Sequence, residues 1–395
     1  MVMNKRESTH WIGIGLTFII GVVASIAISK ASPALLVIQR ELALNAVQVG
    51  WIMSLVSVAT VLLGIIAGRL SQQYGPKRIL QIALLLLFFS TSFSFLVESS
   101  TSIMAIRGIE GIAIILISVC APTLISHLSK PTDTGLSMGV WSVWIPAGSF
   151  IVFLSAPLIL QELGWRWLWF STGIMAVPLL FLLRYIPNIS FTSVKTNNEG
   201  NSKEFVFGAV VLSSVFVCFA CILFSLLTFL PSYLINNHQL SSYSALWVSS
   251  LLPLCVIPGC ALCSVLIHRG IRPTQMMIYP TFLVALVFSI VFNFQYSDGV
   301  GLLLLAFLGV TIGMIPTAIF AQAPRMPANP KNIGLVLGIV VTGQGVGILL
   351  GTPFVGLLMG ETFNWQFVYF FYLVMSGAIL LLAKPLNRLQ HSTYH

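Results

Sequence analysis

The chain has 395 residues, of which 57% are hydrophobic and only 7% are charged. A soluble domain carries about 25% charged residues, so this composition excludes a water-soluble globular protein. The apolar stretches recur at lengths of about 20 residues, which is what a helix needs to cross the hydrocarbon core of a bilayer. Backbone amides in that core need internal partners. We therefore predict an all-α membrane protein surrounded by the lipid bilayer.

Hydropathy predicts twelve transmembrane helices. In chain order they lie at 11–38, 49–68, 79–97, 103–126, 136–160, 167–183, 205–233, 243–266, 274–294, 300–321, 333–359 and 367–383. The longest polar stretch, 184–204, lies between the sixth and the seventh. We predict that residues 1–183 and 205–395 form two pseudo-symmetric six-helix bundles and that residues 184–204 form a cytoplasmic linker.

The 19 Lys and Arg residues are unevenly divided between the two sides of this arrangement. Fifteen lie in the termini and the loops on one side, two lie in the opposite loops, and two lie within the spans. Because cytoplasmic loops carry an excess of Lys and Arg, both termini are predicted to lie in the cytoplasm and the protein in the inner membrane. The net charge of +9 is then a topology signal, so we expect no nucleic-acid partner.

The two halves of the sequence resemble each other at a shift of 195 to 200 residues. The matching residues are Gly75 and Gly270, Lys77 and Arg272, Gly135 and Gly334, Gly139 and Gly338, and Trp165 and Trp365. These matches occur in order at a nearly constant shift. They predict a parallel repeat, which in transporters often encloses a solute site near mid-membrane.

The loop after the second span reads Gly68-Arg-Leu-Ser-Gln-Gln72-Tyr-Gly75-Pro-Lys77-Arg78, and it resembles the G-x-L-A-D-R-x-G-R-R signature of the major facilitator superfamily. Span 4 opens Arg107-Gly-Ile-Glu110-Gly, similar to the R-x-x-Q-G motif of that superfamily. The resemblance covers essentially the whole chain. It implies alternating access between two six-helix halves.

Shorter stretches, among them Lys30-Ala-Ser-Pro33 and Gly164-Trp165-Arg166, resemble the cyanate and nitroimidazole transporter branch.

The resemblance of the loop after span 2 to the superfamily signature implies a gate loop on the cytoplasmic face, formed by Gly68, Gln72, Gly75, Lys77 and Arg78. Gln72 stands where the signature has an acidic residue, so the ion-pair latch of the family is replaced here by an uncharged amide.

Three charged residues, Lys30, Arg107 and Glu110, lie within the predicted spans. A charge at the centre of a bilayer costs roughly 2.5–3.5 kcal/mol on insertion scales, so each is a candidate functional residue. Arg107 and Glu110 are three residues apart on one helix and can pair. The pair is either a structural plug or part of the functional site. In the second case Arg107 and Glu110 are candidates for coupling, since the resemblance implies that the Arg assists proton movement, and Arg107 is also a candidate for substrate binding.

Lys30 is then the cation without an evident partner. The resemblance implies that a cation in span 1 faces the central cavity and meets an anionic substrate. Because charges are scarce in the spans, we predict that Lys30 is the main electrostatic contact for that substrate. The alternative is that Lys30 ends the first helix and extends to the outer membrane interface. Pro33, which follows it, indicates a local break in the helix.

Four uncharged residues are further candidates for substrate binding: Trp141, Trp144, Tyr233 and Gln344. The alternatives are core packing or an interfacial belt for the aromatic residues, and structural burial for Gln344.

The sequence contains no catalytic, cofactor or metal motif with the required context, so we predict neither enzymatic activity nor a cofactor. The expected function is secondary active transport of a small anionic or zwitterionic solute, driven by a proton or by an exchanged solute. The alternatives are a multidrug exporter of the same fold and a non-transporting membrane sensor or partner subunit.

Overall fold

A computed structural model of the chain describes residues 8–44, 46–187, 202–293, 297–326, 329–359 and 365–391. These residues form α-helices joined by short loops and 3₁₀ turns. The α-helices are α1 Trp11–Ser29, α2 Ala31–Glu41, α3 Ala46–Tyr74, α4 Pro76–Ser92, α5 Ser100–Leu128, α6 Thr134–Ser142, α7 Trp144–Glu162, α8 Trp165–Leu182, α9 Ser202–His238, α10 Ser242–His268, α11 Pro273–Asn293, α12 Asp298–Gln322, α13 Ile333–Met359 and α14 Trp365–His391.

Within the described residues, twelve helical segments are long and apolar enough to cross a membrane. This confirms the predicted all-α fold. Six segments precede the predicted linker and six follow it, and most of that linker, 188–201, lies outside the described residues. Several helices extend beyond the predicted apolar windows, as α9 does by a few residues at both ends. Helical geometry continues past the hydrocarbon core because each added residue still gains a backbone hydrogen bond.

Two of the twelve spans contain a one-residue break in their helical hydrogen-bond pattern, while the backbone of that residue stays in the right-handed helical region. Span 1 consists of α1 and α2 with the break at Lys30, and span 5 consists of α6 and α7 with the break at Val143. Each break lies three residues before a proline, Pro33 or Pro146. Proline has no N–H for the carbonyl four positions earlier and its ring crowds that carbonyl. The local break indicated by Pro33 is therefore present, and the predicted span at 136–160 contains a second break that was not predicted.

The internal repeat is visible in the backbone geometry. Gly75 and Gly270, which match at a shift of 195 residues, have φ angles of 84° and 97° and each lies in the loop between two spans. A positive φ favours glycine because it has no Cβ atom. Equivalent positions in the two halves therefore make the same turn.

The two halves touch through residues that are also related by the repeat. A Cβ atom on Gly68 of α3 would lie 2.6 Å from the carbonyl oxygen of Gly334 on α13. In the related contact, Gly139 of α6 packs directly on Ser264 of α10. Small residues allow this close backbone approach. These contacts and the loop from Gly75 to Arg78 lie at the same end of the molecule, which we call the basic end.

Candidate functional site

A buried charge triad lies inside the N-terminal half. Nζ of Lys30 is 2.7 Å from Oε1 of Glu110, and Nη1 of Arg107 is 2.7 Å from Oε2 of the same carboxylate. The side chains of all three residues are at most 1% exposed. One carboxylate thus binds two cations, and the triad has a formal charge of +1.

Side chains from span 1 and from α5 form this triad. Lys30 is the residue between α1 and α2, while Arg107 and Glu110 lie one turn apart on α5. Arg107 also donates from Nη1 to the carbonyl of Ala27 at 3.0 Å and from Nε to the carbonyl of Ile52 at 3.1 Å. Its guanidinium therefore binds groups from three spans, which a planar group with five N–H donors can do.

The ammonium group of Lys30 also contacts an aromatic ring. Its Nζ lies 4.8 Å from the centroid of the Trp169 ring on α8, within the range of cation–π attraction. Trp169 is fully buried, and its indole N–H has no hydrogen-bond acceptor among the described residues. A carboxylate and an aromatic face therefore replace part of the hydration that Lys30 loses.

The prediction that Lys30 has no partner was wrong. Glu110 has two carboxylate oxygens, and the pairing of Arg107 occupies only one of them, so the other remains available to Lys30. The placement of Lys30 at the outer interface was also wrong, because the residue is fully buried within the protein. Lys30 and Glu110 are 80 residues apart in the sequence, so local spacing could not predict this contact.

An aromatic cluster lies where the two halves meet. Trp141 and Trp144 stack with ring centroids 5.0 Å apart, on either side of the break in span 5. Trp141 packs edge-to-face on Phe320 of α12 at 6.4 Å, and Phe320 packs in the same way on Phe216 of α9 at 5.6 Å. Next to this cluster, Oγ of Ser142 and Oγ1 of Thr317 form a 2.6 Å hydrogen bond between the halves.

We call Trp141, Trp144, Phe216 and Phe320 the central cluster. The sequence identified its two tryptophans as candidates but not its two phenylalanines. The chain has 27 Phe residues, and nothing in the sequence distinguishes these two from the others. Trp141 is fully buried, and its indole N–H has no acceptor among the described residues. The cluster is therefore an apolar layer with an available hydrogen-bond donor.

Gln344 and Tyr233 occupy different places. Gln344 of α13 is buried and shares a helix face with Leu337 and Val341, which are also buried. Neighbouring Gly345 packs on Thr60 of the other half, so Gln344 lies near the boundary of the halves. Tyr233 lies inside the C-terminal half and donates to the carbonyl of Val291 at 3.3 Å. The predicted substrate residues are therefore not one cluster.

The gate-loop residues lie at the basic end. Nε2 of Gln72 donates to Oδ1 of Asn332 at 3.1 Å, which connects the two halves through a neutral hydrogen bond. Nζ of Lys77 donates to the carbonyl of Ile186 at 2.5 Å, within the same half. Arg78 is exposed. The loop thus positions one amide, and not an ion pair, at the contact between the halves.

At the opposite end of the molecule, Glu41 of α2 is bound by two residues of α8. Arg166 forms an ion pair with it, and Nε1 of Trp165 donates to its other oxygen at 2.7 Å. Partial burial opposes ionisation of this carboxyl, but the hydrogen bonds from Arg166 and Trp165 hold the pKa of Glu41 below its ordinary value. This ion pair also lies within the N-terminal half.

The described residues contain no group of three or more His, Cys, Asp or Glu side chains that could bind a metal ion. Among the described residues, the site therefore offers paired charges, neutral hydrogen bonds and aromatic surfaces.

Comparison with known proteins identifies the family. The sequence model of the Major Facilitator Superfamily matches residues 17–332, which is most of the chain. The hexuronate transporter of Bacillus subtilis is 23% identical over 375 residues, covering 87% of each protein. The D-xylose transporter of Levilactobacillus brevis is 26% identical over 154 residues, covering 38% of this chain and 33% of that protein. An MFS-type transporter of Mycobacterium tuberculosis is 23% identical, and the match spans 28% of its length.

Solved structures have the same fold. A proton:xylose symporter bound to a glucose derivative superposes with a TM-score of 0.78 at 16% identity, covering 94% of both chains. The Escherichia coli fucose:proton symporter superposes with a TM-score of 0.77 at 14% identity, covering 96% of this chain and 99% of that one. The matched family sequence, the twelve apolar helical segments and the two related halves agree: this chain belongs to the major facilitator superfamily of transporters.

Proposed function

We propose that this protein is a secondary active transporter that moves a small organic anion across the inner membrane by alternating access, coupled to protons. The observation that carries the proposal is the chemistry of the contact between the halves. Close packing at Gly68 and Gly139 forms one part of this contact. Neutral hydrogen bonds form the other part, from Gln72 to Asn332 and between Ser142 and Thr317. The ion pairs of the triad and of Glu41 lie within one half.

This distribution favours a rocking motion. A neutral hydrogen bond contributes about 0.5–1.5 kcal/mol, whereas separating one partner from a buried ion pair costs about 3–5 kcal/mol. Opening the basic end breaks contacts of the first kind and leaves the triad intact. The two halves can therefore move as bodies at modest cost, as repeat-based transporters do.

The triad supports an anionic solute and proton coupling. While Glu110 is ionised, its carboxylate neutralises one of the two cations that it binds. A proton bound to Glu110 removes that negative charge and leaves Lys30 and Arg107 without their shared partner. Two unpaired buried cations are unfavourable unless an anion replaces the carboxylate. Proton binding would therefore favour binding of a solute anion by Lys30.

We place the body of the solute at the central cluster, with Gln344 as a further polar contact. Trp141 offers a buried indole N–H at the boundary of the halves, and two stacked tryptophans offer a flat surface. Sugar-like rings bind to such surfaces through their C–H faces and to N–H groups through their oxygens. The hexuronate transporter that this chain resembles makes hexuronates a reasonable first substrate to test.

The orientation follows from the charge distribution. With the basic end in the cytoplasm, the described state is closed to the cytoplasm. A cysteine at Asn198 of the predicted linker, which lies outside the described residues, should then resist an impermeant thiol reagent added to intact cells carrying a Cys-free protein. Strong labelling from outside would contradict this orientation.

Uptake into proteoliposomes tests the function. We expect D-glucuronate to accumulate under an inward proton gradient and a protonophore to abolish the accumulation. Glu110→Gln should eliminate the gradient dependence, while Glu162→Gln, which alters an exposed carboxylate of the same half, should behave as the wild type. Gradient-driven uptake that persists in Glu110→Gln would exclude Glu110 as the proton-binding group.

A second candidate function is export of apolar compounds. The central cluster is apolar and aromatic, and the chain is 24% identical over 162 residues to multidrug resistance protein 3 of Bacillus subtilis, over 30% of its length. Under this alternative, the same proteoliposomes would move lipophilic cations and leave D-glucuronate outside. Transport of the anion without transport of the cations would decide for the first function.

A further inference from the structure

A cavity that is partly open to the surface lies within the C-terminal half. It has a volume of about 230 Å³ and is lined by residues of α9, α10, α11, α12 and α14. Aromatic rings form much of its wall. Those of Tyr233 and Trp365 meet edge-to-face at 5.0 Å, and those of Phe288 and Tyr372 stack at 4.8 Å. Tyr233, a predicted substrate residue, thus lines this cavity.

The cavity is separate from the proposed transport site. Its lining residues belong to the C-terminal bundle, whereas the triad belongs to the N-terminal bundle and the central cluster lies between the two. Asp298 at the start of α12 and the partly buried His238 at the end of α9 also line it. Both residues flank loops at the end opposite the basic end, so the cavity lies toward that end.

The polar groups of three aromatic residues in the lining differ in their hydrogen bonding. The hydroxyl of Tyr372 is hydrogen-bonded with Ser225 at 3.2 Å, and that of Tyr233 donates to the Val291 carbonyl. The indole N–H of Trp365 is different, because the residue is only 9% exposed and the N–H has no acceptor among the described residues. A buried donor without an acceptor costs about 1–3 kcal/mol, so an occupant with one acceptor atom would recover that cost.

The volume gives the approximate size of such an occupant. An apolar cavity of about 150 Å³ binds benzene. Scaled by volume, the 230 Å³ cavity holds about nine non-hydrogen atoms, the size of a bicyclic aromatic ring. We propose that this cavity is a second binding site, for a neutral, planar bicyclic aromatic molecule with one hydrogen-bond acceptor that bonds to the indole N–H of Trp365.

Quinoline is a suitable probe, because it is bicyclic and its ring nitrogen is an acceptor. Binding is measured by titration calorimetry on the protein in lipid nanodiscs, with empty nanodiscs as the reference because quinoline partitions into bilayers. Leu305→Trp, which fills the cavity from α12, should abolish binding. Leu303→Trp is the matched control, because Leu303 is 71% exposed on the same helix and does not line the cavity.

A conservative variant tests the assigned donor, and indole serves as the reference ligand that reports the effect of the smaller side chain on the shape of the cavity. Trp365→Phe should weaken quinoline binding by about threefold to tenfold, the value of one neutral hydrogen bond. It should change the affinity for indole, which lacks a ring acceptor, by less than about twofold. Wild-type quinoline affinity in Leu305→Trp, or no binding by the wild-type protein, would overturn the site. Unchanged quinoline affinity in Trp365→Phe would overturn the role of Trp365.

Discussion

Replacing Glu110 by Gln is the most informative perturbation of the buried triad. Glutamine keeps the shape of the side chain but removes the only negative charge among Lys30, Arg107 and Glu110. Two cations would then be buried together, with carbonyl groups and an aromatic ring as their remaining partners. Removing one partner of a buried ion pair costs about 3–5 kcal/mol, so we expect the free energy of unfolding to fall by that amount.

Replacing Lys30 by Met should have a much smaller effect. Glu110 would lose one charge-assisted hydrogen bond, but the protein would no longer bury an ammonium group, and Arg107 and Glu110 would remain a neutral pair. These terms oppose each other, so Lys30→Met should lie within about 2 kcal/mol of the wild type. The double variant Lys30→Met/Glu110→Gln again carries one net positive charge, and it should be about 1–3 kcal/mol more stable than Glu110→Gln alone.

The assay is unfolding in mixed micelles with increasing fractions of a denaturing detergent, followed by far-UV circular dichroism for the four proteins of this cycle. We expect Glu110→Gln to be the least stable of the four, the double variant to be more stable than Glu110→Gln, and Lys30→Met to lie near the wild type. Equal stability of Glu110→Gln and the wild type would mean that the carboxyl group is already protonated in this state. The triad would then not be an ion network, and the proton-coupled mechanism would need a different resting state.

Three further perturbations test other parts of the structure. Gly68→Ala should push α3 away from the backbone of α13 and so reduce disulfide crosslinking between the halves at the basic end. Gly108→Ala is the control, because its added methyl group meets no atom within 4 Å and should leave crosslinking unchanged. Gln72→Ala should also lower the crosslinking yield. Gln72→Asp should maintain or raise it, because the amide of Asn332 can rotate and donate to a carboxylate; an unchanged yield in Gln72→Ala would exclude this hydrogen bond as a latch. Since its partners lower the pKa of Glu41 from 4.5, the stabilisation from this ion pair should be complete above pH 4.5 and lost as the pH falls below that value. Glu41→Gln should eliminate this part of the pH dependence of thermal unfolding.

Much of the fold could be predicted from the sequence, because its determinants are local. Hydropathy identifies the twelve apolar segments. Such segments form helices in a membrane because every backbone polar group then has a partner within the segment. The repeat was visible because turn residues such as Gly75 and Gly270 need the same backbone conformation in both halves. The break at Val143 was not predicted, although Pro146 lies three residues beyond it, because a proline within an apolar span can be accommodated by a kink as well as by a break.

The site was harder to predict because it depends on contacts between distant spans. Scarcity of charge identified Lys30, Arg107 and Glu110, but helical spacing could only pair the two residues on α5. The third contact arises because span 1 packs against α5 and places Lys30 beside the second carboxylate oxygen of Glu110. A sequence in which one acid must serve two bases within the membrane thus favours a shared carboxylate over an isolated cation, since the isolated cation would bear the full cost of burial. The proposed proton coupling follows from that sharing, because a single proton on Glu110 changes the electrostatics of both cations at once.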